Sequence, residues 1–196
     1  MNRPFHRHLF ALLVGLCLFS TGSAIHAIGS KEKHPDKDAA DSLKKATEEY
    51  NGGVKHMEKA KAIVAKGDSA YAFNYRATSN AKAQKEYEKA IVQFKSALLL
   101  EKRLKEAWNN LGYCHRKLGA LEESVRCYNE ALSLDSNFAE AREYRGETYL
   151  ALGYFEEATQ EMYFLRSIKS PYADTLAASI EFYNLDRLKQ KLPGQK

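Results

Sequence analysis

Between Trp108 and Leu132, apolar and small residues fall three or four positions apart, with polar and charged residues between them. Trp108, Leu111, Gly112 and His115 share one helical face, which Leu118 continues. After Gly119 a second face runs through Leu121, Ser124 or Val125, Tyr128, Ala131 and Leu132. Two stripes of about 14 residues around one glycine predict an antiparallel helix pair. Gly119 suits the left-handed conformation that ends a helix before a tight turn. Gly112 is expected to face Ala131 across the pair, with Ser124 beside them and with Trp108 and Tyr128 filling the gaps. His115 is expected inside the hairpin core, in place of an aromatic residue.

The pattern then recurs. A step of 34 residues joins Gly112 to Gly146, Gly119 to Gly153, Ser124 to Ala158, Tyr128 to Met162 and Ala131 to Leu165. The same step backwards reaches Ala90, Phe94 and Ala97, and it links Tyr87, Leu121 and Phe155. Small residues return where small residues stood, and large apolar ones where large ones stood. A repeat of this period is one helix–turn–helix unit that buries its apolar face against its neighbours.

These residues resemble the tetratricopeptide repeat (TPR) family, whose pattern is W-x-x-L-G-x-x-Y followed by A, F, A and P. Residues 105–138 match it with Trp108, Leu111, Gly112, Tyr128 and Ala131, and depart with His115 for Tyr, Ser124 for Ala and Ser136 for Pro. Residues 139–172 match with Gly146, Tyr149 and Ala158 but carry Arg142 where Trp is expected. An earlier copy keeps only its second helix, through Tyr87, Ala90, Ile91, Phe94, Ala97 and Leu98. The resemblance implies an all-α, TPR-type helical-hairpin solenoid of about two and a half to three repeats. Residues 41–104 form its degenerate first hairpin, with an inserted loop over 66–80 that holds Tyr71, Phe73, Asn74 and Tyr75. Residues 173–192 carry Leu176, Ile180 and Tyr183 on one face, which reads as a capping helix before a short tail, 193–196.

The first residues read differently. Arg3 and Arg7 precede a short apolar run, Leu9–Phe19, which ends in Gly22-Ser23-Ala24. That order predicts a cleaved secretory signal over residues 1–24 and a periplasmic or secreted protein. The run is shorter than the roughly 20 residues that span a bilayer, so no membrane span is expected. Residues 25–40 read as a charged, flexible lead-in. Removing the leader lowers the net charge from +5 to +3, with both signs interleaved and no arginine-rich stripe, which argues against a nucleic-acid partner. Cys114 and Cys127 stand on opposite helices of one hairpin, where they would be either a disulfide or two separate thiols.

Catalytic chemistry is not indicated. His34, His56 and His115 are scattered, with no metal-ligand spacing, and no nucleophile–base pair or phosphate-cradling glycine loop is evident. Neither an enzyme nor a cofactor is expected. Gly67-Asp68-Ser69 reads as the end of a helix. The family resemblance instead implies a concave groove lined by the first helices of successive repeats. Opposite Gly112 that stripe is Glu106, Asn109, Asn110, Tyr113, Arg116 and Lys117; one repeat later it includes Glu140, Glu143, Tyr144 and Glu147. Family members that clamp a terminal carboxylate use asparagines and basic residues there, and Glu140 and Glu143 oppose such a clamp. Adjacent first helices sit about 9–10 Å apart, so a mixed-charge peptide would touch Arg116 and Lys117 on one and Glu143 and Glu147 on the next. Arg116 and Glu147 are expected to be exposed. A protein or peptide partner in cell-envelope assembly follows from this reading; its alternative is a structural subunit held by its convex face and inserted loop.

Overall fold

Helix ends of two alternating kinds organise the chain. The computed structural model describes residues 35–67 and 77–191. Its helices are α1 (Pro35–Gly67), α2 (Ala81–Leu100), α3 (Lys105–Lys117), α4 (Leu121–Leu134), α5 (Ala139–Leu152), α6 (Phe155–Ser167) and α7 (Tyr172–Lys191). There is no strand among the described residues, and all seven helices lie in the unit His34–Lys196. The expected signal segment, the aromatic part of the inserted loop and the short tail fall outside the described residues.

Within a hairpin, the turn is tight and left-handed. Gly119 has φ 82° and Gly153 φ 83°. Ala120 N–H donates back to His115 O at 2.9 Å and Tyr154 N–H to Tyr149 O at 2.8 Å, which satisfies carbonyls that a helix end leaves open. After α6 the same closure recurs, with Ser170 N–H donating to Leu165 O at 2.9 Å. Here Lys169 takes the left-handed position at φ 54°. A Cβ in that region costs about 1–2 kcal/mol. Gly153→Ala is therefore expected to destabilise by about 1 kcal/mol, and Lys169→Gly to shift urea unfolding the opposite way by less, because glycine also loosens the unfolded chain. Equal midpoints for wild type and both variants would contradict this.

Between hairpins the exit is extended and side chains close it. Glu101 accepts from Arg103 N–H at 2.8 Å, and one repeat later Asp135 accepts from Asn137 N–H at 3.0 Å. Lys105 Nζ, at the start of α3, reaches Asp135 Oδ2 at 2.5 Å and ties the start of this hairpin to its own exit.

Packing follows chain order: α1 on α2, α3 on α4, α5 on α6, each hairpin on the next, and α7 on α5 and α6. The α7 helix also keeps the repeat step, since Leu176, Ile180 and Tyr183 stand 34 residues after Arg142, Gly146 and Tyr149. It covers the last hairpin by burying Leu176 where a Cβ on Gly146 would stand 2.5 Å from Leu176 Cδ2. Within the central hairpin, Gly112 faces the ring of Tyr128 rather than Ala131: a Cβ there would lie 2.8 Å from Tyr128 Cε1. Ala131 instead packs with Tyr128, Leu132 and Ala141, towards the following repeat. Cys114 and Cys127 are two buried free thiols.

The first hairpin departs most from the expectation. Helix α1 starts at Pro35, so residues 35–40 are helical rather than lead-in. Proline suits the first helical turn, and the mixed charges that follow are compatible with a solvated helix. The helix runs on through Gly67, and the connection narrows accordingly. Its described end, 77–80, docks on the next hairpin: Thr78 N–H donates to Lys117 O at 2.8 Å. Asn80 then caps α2, its Oδ1 accepting from Lys82 and Ala83 N–H at 3.0 and 3.2 Å.

A polar clasp joins α1 to α2. Glu86 bonds His56 Nδ1 at 2.7 Å, Lys89 Nζ at 2.9 Å and Lys59 Nζ at 3.1 Å. The His56 hydrogen bond, then that of Lys89, lowers the carboxyl from 4.5 to about 2. A depressed acid contributes stability that is complete above the ordinary value of 4.5 and lost as pH falls through about 2. Glu86→Gln should flatten the acid limb of stability against pH across that window, as followed by circular dichroism. An unaltered acid limb would show that the clasp does not couple to folding.

Candidate functional site

A row of polar side chains crosses the first helices of successive hairpins. On α3, Asn109, Tyr113, Arg116 and Lys117 are buried; on α5, Glu143 and Glu147 are buried. Arg116 Nη2 lies 3.0 Å from Glu147 Oε2, with the two side chains 0% and 1% exposed. Ser179 on α7 donates to Glu147 Oε1 at 3.3 Å, so the row continues across three helices. The Arg116 guanidinium lies 5.2 Å from the ring centre of Tyr113 and 5.4 Å from that of Tyr144, positions where ring faces attract a cation. Burial opposes the charge on Arg116, yet Glu147 together with Tyr128 and Tyr113 outweighs it and holds the guanidinium above its ordinary value. Lys117 responds differently: burial, then the charge of Arg116, lowers it to about 7. Burial also raises Glu140. Glu106, Asn110 and Tyr144 stay half-buried at the edge of the row, where Asn110 Nδ2 donates to the Tyr50 hydroxyl of α1 at 3.2 Å.

On the opposite side, α2 and α4 do not pack on each other. Between them, over α3, is a hollow of about 630 Å³ whose lining includes Leu98, Leu99, Trp108, Leu111, His115 and Cys127. Lys95 of α2 and Lys102 of the turn after it stand on one wall, and Glu123, Arg126 and Glu130 on its α4 wall. The Trp108 indole N–H donates to Lys102 O at 2.9 Å, which fixes one end of the floor. Burial, then Lys95, holds His115 below its ordinary value.

A family model described as tetratricopeptide repeat matches residues 106–138, which contain most of α3 and all of α4. The fold is a TPR-like helical repeat. Among solved structures, the chain is similar to the second TPR domain of the human RPAP3 protein, determined by NMR in complex with an HSP70 peptide. That likeness has 17% identity and a TM-score of 0.48, over 68% of this chain and 98% of that one. No curated protein matches this chain in sequence.

Set on the TPR-like stack, the expected core residues separate into two groups. Ala90, Phe94, Ala97, Leu111, Tyr128, Ala131 and Ala158 are buried, as are Gly112 and Gly146, while Trp108 and Tyr149 are only partly so. Trp108 and His115 line the hollow, and Trp108 also packs against the core residues Tyr128, Ala131 and Leu132. The expected groove residues do lie together, but the exposure expected for Arg116 and Glu147 is not found, and Lys117 and Glu143 are buried beside them. The reason is reciprocal: the opposite charges assigned to a peptide meet each other across α3 and α5. Opposite charges on neighbouring first helices signal such pairing as readily as they signal a ligand. Three features were not anticipated: the reach of α1 to α3 through Tyr50, the Glu86 clasp, and the hollow. Of these, only the hollow had a legible trace, in the spacing of Lys95, Leu98, Leu99 and Lys102.

Among the described residues there is no group of three or more His, Cys, Asp or Glu side chains placed to hold a metal ion. No described helix is long and apolar enough to cross a membrane.

Proposed function

We propose that the protein is an exported, non-catalytic interaction module that binds a protein or peptide in cell-envelope assembly. The observation that carries this reading is the in-phase stack of helical hairpins, with residues 106–138 matching the tetratricopeptide repeat. Such a stack offers an extended surface on rigid elements, and its buried polar row stiffens the side from which Glu106, Asn110 and Tyr144 reach solvent. These three form the recognition edge, and the Arg116–Glu147 pair is its floor rather than a ligand contact. The basic start, the apolar run Leu9–Phe19 and Gly22-Ser23-Ala24 support export to the periplasm or beyond.

A second reading, a structural subunit held by its convex side, is favoured by the exposure of Val92 and Leu99 on α2. Photo-cross-linkers placed singly at Asn110 and Leu99 in cells separate the two. A discrete adduct from Asn110 alone supports the peptide-binding edge, and one from Leu99 alone supports the subunit. No adduct from either position would sink both. N-terminal sequencing of the envelope fraction should read a start near Ile25; an intact Met1 on cytoplasmic protein would refute export.

A further inference from the structure

The repeat carries its own comparison for the hollow between α2 and α4. One step of 34 residues takes Trp108 to Arg142, Leu111 to Arg145, and Cys127 to Glu161. In that later groove, between α4 and α6, Arg142 Nη1 donates to Glu161 Oε2 at 2.9 Å and Arg145 Nε donates to Glu161 Oε1 at 2.9 Å. Arg145 Nη1 also reaches Asn129 Oδ1 at 2.5 Å, and the Arg142 guanidinium lies 3.4 Å from the Phe164 ring centre. Side chains of α4, α5 and α6 thus close the later groove from within. Leu111 and Cys127 cannot bridge the earlier one in this way, and it stays open.

We infer that this open groove docks an amphipathic α-helix of a partner protein, apolar stripe inward, with acidic side chains along the flank that faces α2. The α4 wall has helical spacing, with Glu123, Arg126, Cys127 and Glu130, and the facing wall sets Lys95, Leu98 and Leu99 of α2 before Lys102 of the turn that follows it. The α4 wall spans about 10 Å, or two turns, which matches anchors at i, i+3, i+4 and i+7 on an incoming helix. Leu99 is 81% exposed and Val92, two turns earlier, is 62% exposed, so the apolar floor continues onto an uncovered ridge. Charge selects the flank. Arg126 is already paired with Glu123 at 2.5 Å, whereas Lys95 and Lys102 are exposed and join no ion pair among the described residues. An acidic flank along α2 and the turn after it would pair with both lysines.

Trp108 is the only tryptophan and lies in the floor, so its emission reports occupancy. The full chain is titrated with two short, dye-labelled, helix-forming peptides that share a leucine stripe, one flanked by glutamates and the other by lysines. The glutamate peptide should bind about tenfold more tightly and shift Trp108 emission. Leu99→Asp should abolish that shift, and Lys95→Glu with Lys102→Glu should reverse the preference. All three positions are exposed, so the circular dichroism spectrum should not change. Peptide anisotropy that rises equally with all variants places binding elsewhere and overturns the groove, while leaving an interaction module intact. No rise with either peptide overturns the groove as well. A Trp108 shift by dodecanoate that neither peptide competes with would assign the hollow to an acyl chain and also overturn it.

Discussion

Replacing Glu147 with alanine should destabilise the protein by about 3–5 kcal/mol, the largest loss expected of any single charged residue here. The effect comes from what remains. Arg116 is wholly buried, 3.0 Å from the carboxylate, and its guanidinium cannot shed its charge. Removing Glu147 deletes the group that compensates that charge and leaves Ser179 without its acceptor. For a chain of this size such a loss lowers the melting temperature by roughly 10 °C. The double variant Arg116→Met with Glu147→Leu removes both charges together and should recover most of the stability, because desolvating an ion pair costs nearly what the pair returns. A single variant that melts with wild type would mean that the pair is solvated. A double variant no better than the single would mean that the row stabilises through shape rather than charge.

The second large effect lies in the first hairpin. Phe94 is completely buried on α2, with its ring centre 5.8 Å from that of Tyr50 on α1. Phe94→Ala should cost about 3–5 kcal/mol, from lost burial plus the cavity left behind. Gly53 makes the test specific. A Cβ on Gly53 would stand 2.6 Å from Phe94 Cδ1 and Cε1, so Gly53→Ala in the wild type forces that ring to move. On the Phe94→Ala background the same substitution enters empty space and gains helix propensity of up to about 1 kcal/mol. Its sign should therefore reverse between the two backgrounds in urea denaturation. Additive effects would show that Gly53 and Phe94 do not meet.

The repeat made much of the fold legible. Gly119 and Gly153 mark turns because only glycine enters the left-handed region at little cost, and they recur one step apart. Phe94, Tyr128 and Ala158 mark the core because the same step repeats their size. Lys169 closes an equivalent turn without glycine, and nothing in its side chain announces that. Helix α1 was less legible, since its long charged sequence supports a helix only where α2 supplies a face to cover. For the site, spacing gathered the right residues and misjudged their state. A helical stripe tells which direction Arg116 points; it does not tell that Glu147 stands there to meet it. The comparison of Cys127 with Glu161 needed the structure too, because a gap between helices has no sequence of its own.

Packing in chain order has a kinetic consequence. Each helix finds its main partner a short distance along the chain, so little loop entropy opposes any step of assembly, and such topologies fold fast. The hairpins can form in sequence as the chain emerges, each one serving as the template for the next. Among the described residues α7 packs on α5 and α6 alone, and it should open before the interior does. Amide hydrogen exchange would then read as a gradient, fastest on α7 and slowest where Arg116 and Glu147 lock two repeats together.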